Sequence, residues 1–266
     1  MHSLEVIGQA HAYRFPGEWK ECSVAQLGTI AALTSVRPPA EARPDVQEYH
    51  EAHLRLCLLR QLTGMPDDVF GRIATEDLIG IRSDELGIAH AAFLPELDWC
   101  LAEPLWSESM LPTVVVRKAT YQGPTDRLGR FSVLQWGFCD ALLQNLANTG
   151  NAKDLHLLLG ALYHKEGTTW SNKTIEQRAD VLAQLDDRTK LAMVLNYRAL
   201  RAWLAAKYWR CFKGGKADAH GVQGMIVRMA GPKFGTVEQT RHADLHDVLI
   251  HVEQSIEQDE LLKQQT

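Results

Sequence analysis

The sequence predicts a mainly α-helical protein, a multi-helix globular chain with a small accessory β element. Ser, Asp or Asn repeatedly precedes an apolar segment, which is a signal for a helix start. Apolar residues then recur three and four positions apart, the spacing of one helix face. Only residues 111–121 form a β-branched run bounded by turns. Many helices and at most a small sheet are therefore expected.

The first predicted helix begins after Ser23, because Gln26 three residues later completes a capping-box pattern. The preceding aromatic stretch is expected to be a short extended arm. Residues 37–44 contain three prolines and cannot continue a helix, so they are predicted to be a linker.

The next helix is predicted from its caps and its apolar spacing. Asp45 and Glu48 are expected to cap its start, Leu54 and Leu58 to lie on its apolar face, and Gly64 to end it. Shorter helices are expected in residues 66–73 and 76–81 and after Ser83.

The run at residues 111–121 is predicted to be a strand, followed by a turn over residues 121–126. Its partner is expected to be either residues 13–15 or residues 236–240.

The second half of the chain is predicted to be almost entirely helical. Ser132, Asn151, Asp187 and Asp244 are the proposed start signals. The predicted helices cover residues 133–147, 153–163, 174–185, 188–212, 222–229 and 245–262.

These elements suggest three consecutive regions. Residues 1–44 would form an N-terminal arm, a short helix and a proline-rich linker. Residues 45–110 would form a helical subdomain, and residues 111–266 a helical body with a short β element at its start.

The charge and the cysteine content disfavour nonspecific nucleic-acid binding and a zinc or redox site. The net charge of −5 gives no overall positive field for nonspecific nucleic-acid binding. The five scattered cysteines include no C-x-x-C pair, so we expect buried thiols in a reducing compartment. The first residues do not resemble a secretory signal and no apolar run has membrane-spanning length, which predicts a cytoplasmic protein without membrane contact.

Two histidine pairs are candidate metal ligands. His50 and His53 are three positions apart, whereas a zinc-protease helix needs four. His242 and His246 have the four-residue spacing and lie near Asp247, but His242 precedes the predicted helix start at Asp244. A soluble enzyme or metal-binding protein that uses His242 and His246 is therefore kept as an alternative.

Aromatic and basic residues alternate near the end of the helix predicted at 188–212. This composition could stack on bases and hold phosphates, which makes a nucleic-acid-binding helical module a second alternative. The same segment contains apolar residues that are expected to be buried: Leu191, Leu195 and Leu204. We therefore favour packing of the aromatic residues in the core over nucleic-acid binding.

No other motif indicates catalysis or a cofactor. Residues 212–217 lack the glycine spacing and the hydroxyl of a phosphate-binding loop, and neither a nucleophile elbow nor a dinucleotide fingerprint occurs. We expect no cofactor, no bound metal and no catalytic residue.

Three aromatic residues of the arm are the candidate interaction residues. Tyr13, Phe15 and Trp19 precede the proline-rich linker, which would let them insert into a groove of a neighbouring subunit. Exchange of such an arm would produce a homo-oligomer. The same residues could equally fold back onto their own domain.

Several packing and turn patterns resemble a family of uncharacterised proteins from prophages and tailed-phage structural gene modules. The stretches that carry the resemblance are residues 14–19, 121–126, 131–136, 158–163, 178–195, 230–235 and 245–249.

The resemblance implies a non-enzymatic protein, either a virion component of the neck, connector or tail, or a tail-assembly factor. Its partners would be other phage structural proteins. Its location would be the host cytoplasm during assembly, and then the virion for a structural component. The resemblance brings no catalytic residues to this chain.

Overall fold

The computed structural model describes residues 2–4, 13–35, 43–68, 70, 94–213, 226–227 and 229–264. It confirms the mainly α-helical class with a small antiparallel sheet. The described chain divides into two compact units: unit 1 contains residues 1–104 and 186–195, and unit 2 contains residues 105–185 and 196–266. The predicted arm and the predicted subdomain 45–110 thus fall together in unit 1, apart from the last residues of that subdomain.

Unit 1 begins with two short antiparallel strands, β1 (His2–Leu4) and β2 (Tyr13–Phe15). Helix α1 (Val24–Thr34) follows, and Ser23 and Gln26 form the predicted capping box at its start. Helix α2 (Pro44–Thr63) ends at Gly64 as predicted, with a φ of 64°. A 3-10 turn (Leu94–Leu97) continues into the short helix α3 (Asp98–Leu101).

The prediction for the start of α2 was wrong. The helix begins at Pro44, and neither Asp45 nor Glu48 caps it. Proline suits the first helical position because its fixed φ is helical and the amide hydrogen it lacks would have no partner there. Asp45 instead forms an ion pair with Arg43 at 3.0 Å.

The core of unit 1 joins the N-terminal strand to α1, α2 and the turn before α3. Its buried apolar residues include Tyr13, Phe15, Ile30, Leu58, Leu59, Leu62, Met65, Leu97 and Cys100. Of the helix predicted over residues 66–73, residues 67, 68 and 70 are described and are helical. The helices predicted at 76–81 and after Ser83 lie outside the described residues, as does most of the helix predicted at 222–229.

Unit 2 contains a three-stranded antiparallel sheet: β3 (Thr113–Val116), β4 (Ala119–Gln122) and β5 (His164–Lys165), in the order β3-β4-β5. The single strand predicted over 111–121 is therefore a hairpin. Its two-residue turn, Arg117 and Lys118, has φ of 49° and 65°, the conformation of a type I′ hairpin turn. Both predicted partners were wrong: residues 13–15 pair with β1, and residues 236–240 belong to a capped helical segment.

The helices of unit 2 largely follow the predicted start signals. Helix α4 (Val133–Thr149) is capped by Ser132, and helix α5 (Ala152–Leu162) by Asn151. Helix α6 (Ile175–Leu182) is shorter than predicted and begins after a 3-10 turn.

The long predicted helix at 188–212 is two helices, α7 (Asp187–Lys207) and α8 (Trp209–Phe212), which are separated at Tyr208. Asp186, and not Asp187, accepts the backbone amide of Thr189 at the start of α7, at 2.9 Å. The first part of α7 belongs to unit 1, and the part from Asn196 belongs to unit 2.

Two helices complete the described part of unit 2. Helix α9 (Val237–His242) was not predicted, although Thr236 and Gln239 form a capping box at its start. Helix α10 (Leu245–Gln264) begins after Asp244, as predicted, and the Asp244 carboxylate accepts the amide of His246 at 2.8 Å.

Candidate functional site

A cleft of about 490 Å³ with mixed polar and apolar walls lies in unit 2. The sheet, the start of α4, the segment after β5 and the end of α9 all contribute to it. Its lining residues are Pro112, Thr113, Gln122, Gly123, Thr125, Arg130, Phe131, Ser132, Gln135, His164, Thr169, Trp170 and His242. The volume is that of a small-molecule site.

The sheet side of the cleft depends on close packing between Gly123 and Tyr163. A Cβ atom on Gly123 would lie 2.2 Å from the Tyr163 ring, so only glycine allows this approach. The buried Tyr163 hydroxyl donates a hydrogen bond to the Leu111 carbonyl at 2.8 Å. These contacts place His164, the next residue, in β5 beside β4.

The start of α4 forms a second wall. The Ser132 hydroxyl accepts the Gln135 amide at 3.1 Å, which fixes both residues at the first helical turn. An isolated β-bridge joins Ser132 to Asp244, between α9 and α10. This bridge accounts for the position of His242, the last residue of α9, at the same cleft.

The third wall is attached to the end of α5. The Trp170 indole donates a hydrogen bond to the Ala161 carbonyl at 2.8 Å. The side-chain amide of Gln135 donates to the same oxygen at 3.4 Å. Arg178 donates to the Gly160 carbonyl at 2.7 Å. Carbonyls of the last helical turn lack helical partners, so these side chains both stabilise α5 and hold the cleft in shape.

The surroundings of His164 favour its neutral form. Burial lowers the pKa of its imidazole, and the positive charge of Arg178 lowers it further. The Arg178 guanidinium is packed over the Trp170 ring, 6.0 Å from its centroid.

Two buried polar atoms of the lining residues have no hydrogen-bond partner within the described structure: Thr125 Oγ1 and His164 Nδ1. A buried polar atom without a partner costs about 1–3 kcal/mol. Such atoms are uncommon in folded proteins, and here two of them belong to residues that line the same cleft.

The predicted interaction residues lie in or against the core of unit 1. Tyr13 is 5% exposed and Phe15 1% exposed. Trp19 packs against the same core and contacts the Trp99 ring edge to face at 5.0 Å. In the single chain these residues therefore fold back onto their own unit, and their role in subunit contacts stays a prediction.

His242 and His246 do not lie on one helix. His242 is 3.1 Å from the Glu238 carboxylate. The two ring nitrogens of His246 lie 2.8 Å from the Tyr208 hydroxyl and 2.7 Å from the Arg127 carbonyl. Both nitrogens of His246 are thus engaged in structural hydrogen bonds. Within the described residues, no group of three or more His, Cys, Asp and Glu could hold a metal ion.

Most aromatic residues of α7 and α8 are used in packing. Tyr197 and Tyr208 are buried, and Phe212 meets Trp136 edge to face at 5.9 Å. Two of the basic residues among them are paired, Arg201 with Asp140 and Arg210 with Glu253, Glu257 and Glu260. Lys207 lies 5.1 Å from the Trp203 ring centroid. This arrangement favours packing over the nucleic-acid alternative.

Trp209 differs from these aromatics because it is 44% exposed. Arg210 and Lys213 each place their charge 4.8 Å from its ring centroid. Trp209, Arg210 and Lys213 are called the Trp209 surface below.

The cysteines of the described chain are free thiols. Burial raises the pKa of Cys22 and of Cys211 to about 12, and the Glu253 carboxylate contributes at Cys211. These thiols are therefore protonated near neutral pH and are poor nucleophiles.

Comparison of the chain with protein-family models, curated proteins and solved structures finds no match. In the described ranges, no helix is long and apolar enough to cross a membrane. The fold class and the residues themselves therefore carry the functional argument.

Proposed function

We propose that this chain is a non-enzymatic structural or assembly protein of a tailed phage, acting through protein-protein contacts. It would be a neck, connector or tail component, or a tail-assembly factor. Its partners would be other phage structural proteins or further copies of the chain, in the host cytoplasm and, for a component, in the virion. The sequence resemblance supplies the phage assignment, and the Trp209 surface supplies the contact site.

The exposed Trp209 ring is the single observation that carries the contact proposal. A tryptophan accompanied by arginine is the composition of an interface hot spot. The Trp209 backbone is also well anchored: the next residue, Arg210, is bound by three carboxylates of α10, and the Cys211 amide donates to Glu253 at 3.2 Å. A side chain held before binding loses less conformational entropy when a partner covers it.

The test is co-expression of the tagged chain with the products of adjacent genes, followed by affinity capture and light scattering. Trp209→Ser is expected to weaken the contact by about 2 kcal/mol or more, roughly thirtyfold in affinity. Tyr49→Ser is the matched control, because Tyr49 is an exposed aromatic of unit 1, 63% accessible.

Loss of capture or of self-association in Trp209→Ser alone would support the proposal. Equal association of Trp209→Ser and the unchanged chain would refute the contact site. Adjacent genes for metabolic enzymes, with no portal, tail-tube or tape-measure gene nearby, would refute the phage assignment.

A further inference from the structure

The charge of the cleft in unit 2 is one-sided. Arg130 is its permanently charged lining residue, and no aspartate or glutamate lines it. The other ionisable lining residues are His164, whose pKa is lowered by burial and by Arg178, and His242, which lies 3.1 Å from the Glu238 carboxylate. The start of α4, at Ser132, adds the partial positive charge of a helix N-terminus. The cleft therefore favours a negatively charged group.

Arg130 is the strongest candidate for holding that group. Its side chain is exposed, and across the described residues no carboxylate lies within ion-pair distance of its guanidinium. Other arginines of unit 2 form ion pairs with carboxylates, such as Arg201 with Asp140 and Arg241 with Glu238. A free guanidinium can bind a carboxylate or a phosphate through two hydrogen bonds.

Trp170 gives the cleft a fixed planar wall. Its indole nitrogen is anchored on the Ala161 carbonyl, and its ring contacts Phe138 at 6.2 Å between centroids. A planar group of a ligand could pack against the part of this ring that lines the cleft.

We propose that this cleft binds a small organic anion, whose carboxylate or phosphate is held by Arg130 and whose planar apolar part packs against Trp170. This site is separate from the Trp209 surface and does not depend on the phage assignment.

Four probes test the proposal on the full chain by ligand-observed NMR and titration calorimetry: benzoate, phenyl phosphate, benzamide and inorganic phosphate. Benzoate or phenyl phosphate is expected to bind at least tenfold more tightly than neutral benzamide and than inorganic phosphate. The preferred probe of the two identifies the anionic group as a carboxylate or a phosphate.

Two variants locate the binding. Arg130→Gln is expected to lower the affinity for the preferred probe at least tenfold. Arg188→Gln, an exposed arginine of unit 1, is the matched control and should leave binding unchanged.

The proposal would be overturned by any of three results. These are no binding of benzoate or phenyl phosphate at millimolar concentration, equal binding of benzamide, and unchanged affinity in a folded Arg130→Gln variant. Equal binding of inorganic phosphate would overturn the role of Trp170.

Discussion

At the scale of single residues, His164 and Thr125 show how the fold leaves polar groups of a site unsatisfied. His164 lies in β5, where its position depends on the pairing with β4 and on the buried Tyr163 before it. Thr125 follows the hairpin and has a buried hydroxyl without a partner within the described structure. Each unsatisfied buried group lowers the free energy of unfolding by about 1–3 kcal/mol.

The lowered pKa of His164 predicts a pH dependence of stability. Between its folded pKa and its usual value near 6.5, the unfolded state binds more protons than the folded state. The free energy of unfolding should therefore fall as the pH is lowered from about 6.5, and the loss should end below the folded pKa. For one titrating group, the free energy of unfolding changes by at most about 1.4 kcal/mol per pH unit. The change should be smaller for His164, because it is only half-buried and solvent screens the interactions that shift its pKa.

Urea denaturation between pH 7.5 and pH 5 measures this effect, with His164→Gln as the comparison. The variant should have a flatter profile over that range. If the two profiles are parallel, His164 does not titrate differently in the folded and unfolded states.

At the scale of elements, the helix starts were predictable because their signals are local. Ser23, Ser132, Asn151 and Asp244 each accept a backbone amide two or three residues ahead, as the sequence indicated. The short helix α9 carries the same signal at Thr236, in a segment for which the sequence also allows a strand.

The hairpin and the cleft were not predictable in the same way. Arg117 and Lys118 adopt positive φ without the Asn-Gly or Asp-Gly pair that usually marks such a turn. The two-residue strand β5 exists only because β4 lies beside it. The cleft joins the hairpin, the start of α4, Trp170 and the end of α9, so its residues share no sequence motif.

The packing of α5 on α6 gives a prediction for Gly160. An added Cβ atom would lie 2.4 Å from the Ile175 carbonyl oxygen and 2.8 Å from the Ala179 amide nitrogen. These are backbone atoms of α6, so the helices must move apart. We expect Gly160→Ala to destabilise the protein by about 1–3 kcal/mol, although alanine alone would favour a helix by about 1 kcal/mol.

Chemical denaturation monitored by circular dichroism measures the Gly160 effect. The Arg178 hydrogen bond to the Gly160 carbonyl should weaken as well, because the same displacement moves its donor and acceptor. An equal or higher unfolding free energy in Gly160→Ala would show that the two helices tolerate the methyl group.

At the scale of the whole molecule, residues distant in sequence build unit 1. Its N-terminal segment supplies Tyr13 and Phe15 to the core, α1 and α2 supply most of the remaining apolar residues, and residues 186–195 join from much later in the chain. Gly28 illustrates the closeness of this packing, because a Cβ atom there would lie 2.1 Å from the Arg188 carbonyl oxygen. Residues 1–104 alone therefore lack part of the unit.

The burial of the N-terminal aromatics gives the last prediction. Deletion of residues 1–22 removes Tyr13, Phe15 and Trp19 from the core of unit 1. Truncation of one buried phenylalanine costs about 3–5 kcal/mol, and a whole domain is stable by only about 5–15 kcal/mol. We therefore expect the deletion to unfold unit 1, with a loss of helical content in circular dichroism.

Light scattering on the same deletion separates this outcome from an exchanged arm. Truncation after Leu262 is the matched control, because residues 263–264 are exposed in the described structure, lie outside the Trp209 surface, and can be removed without loss of the fold. If the chain without residues 1–22 keeps its helical content and forms a smaller oligomer, the aromatic segment belongs to a subunit contact. Loss of helical content together with aggregation would place the segment in its own core, where unit 1 cannot fold without Tyr13 and Phe15.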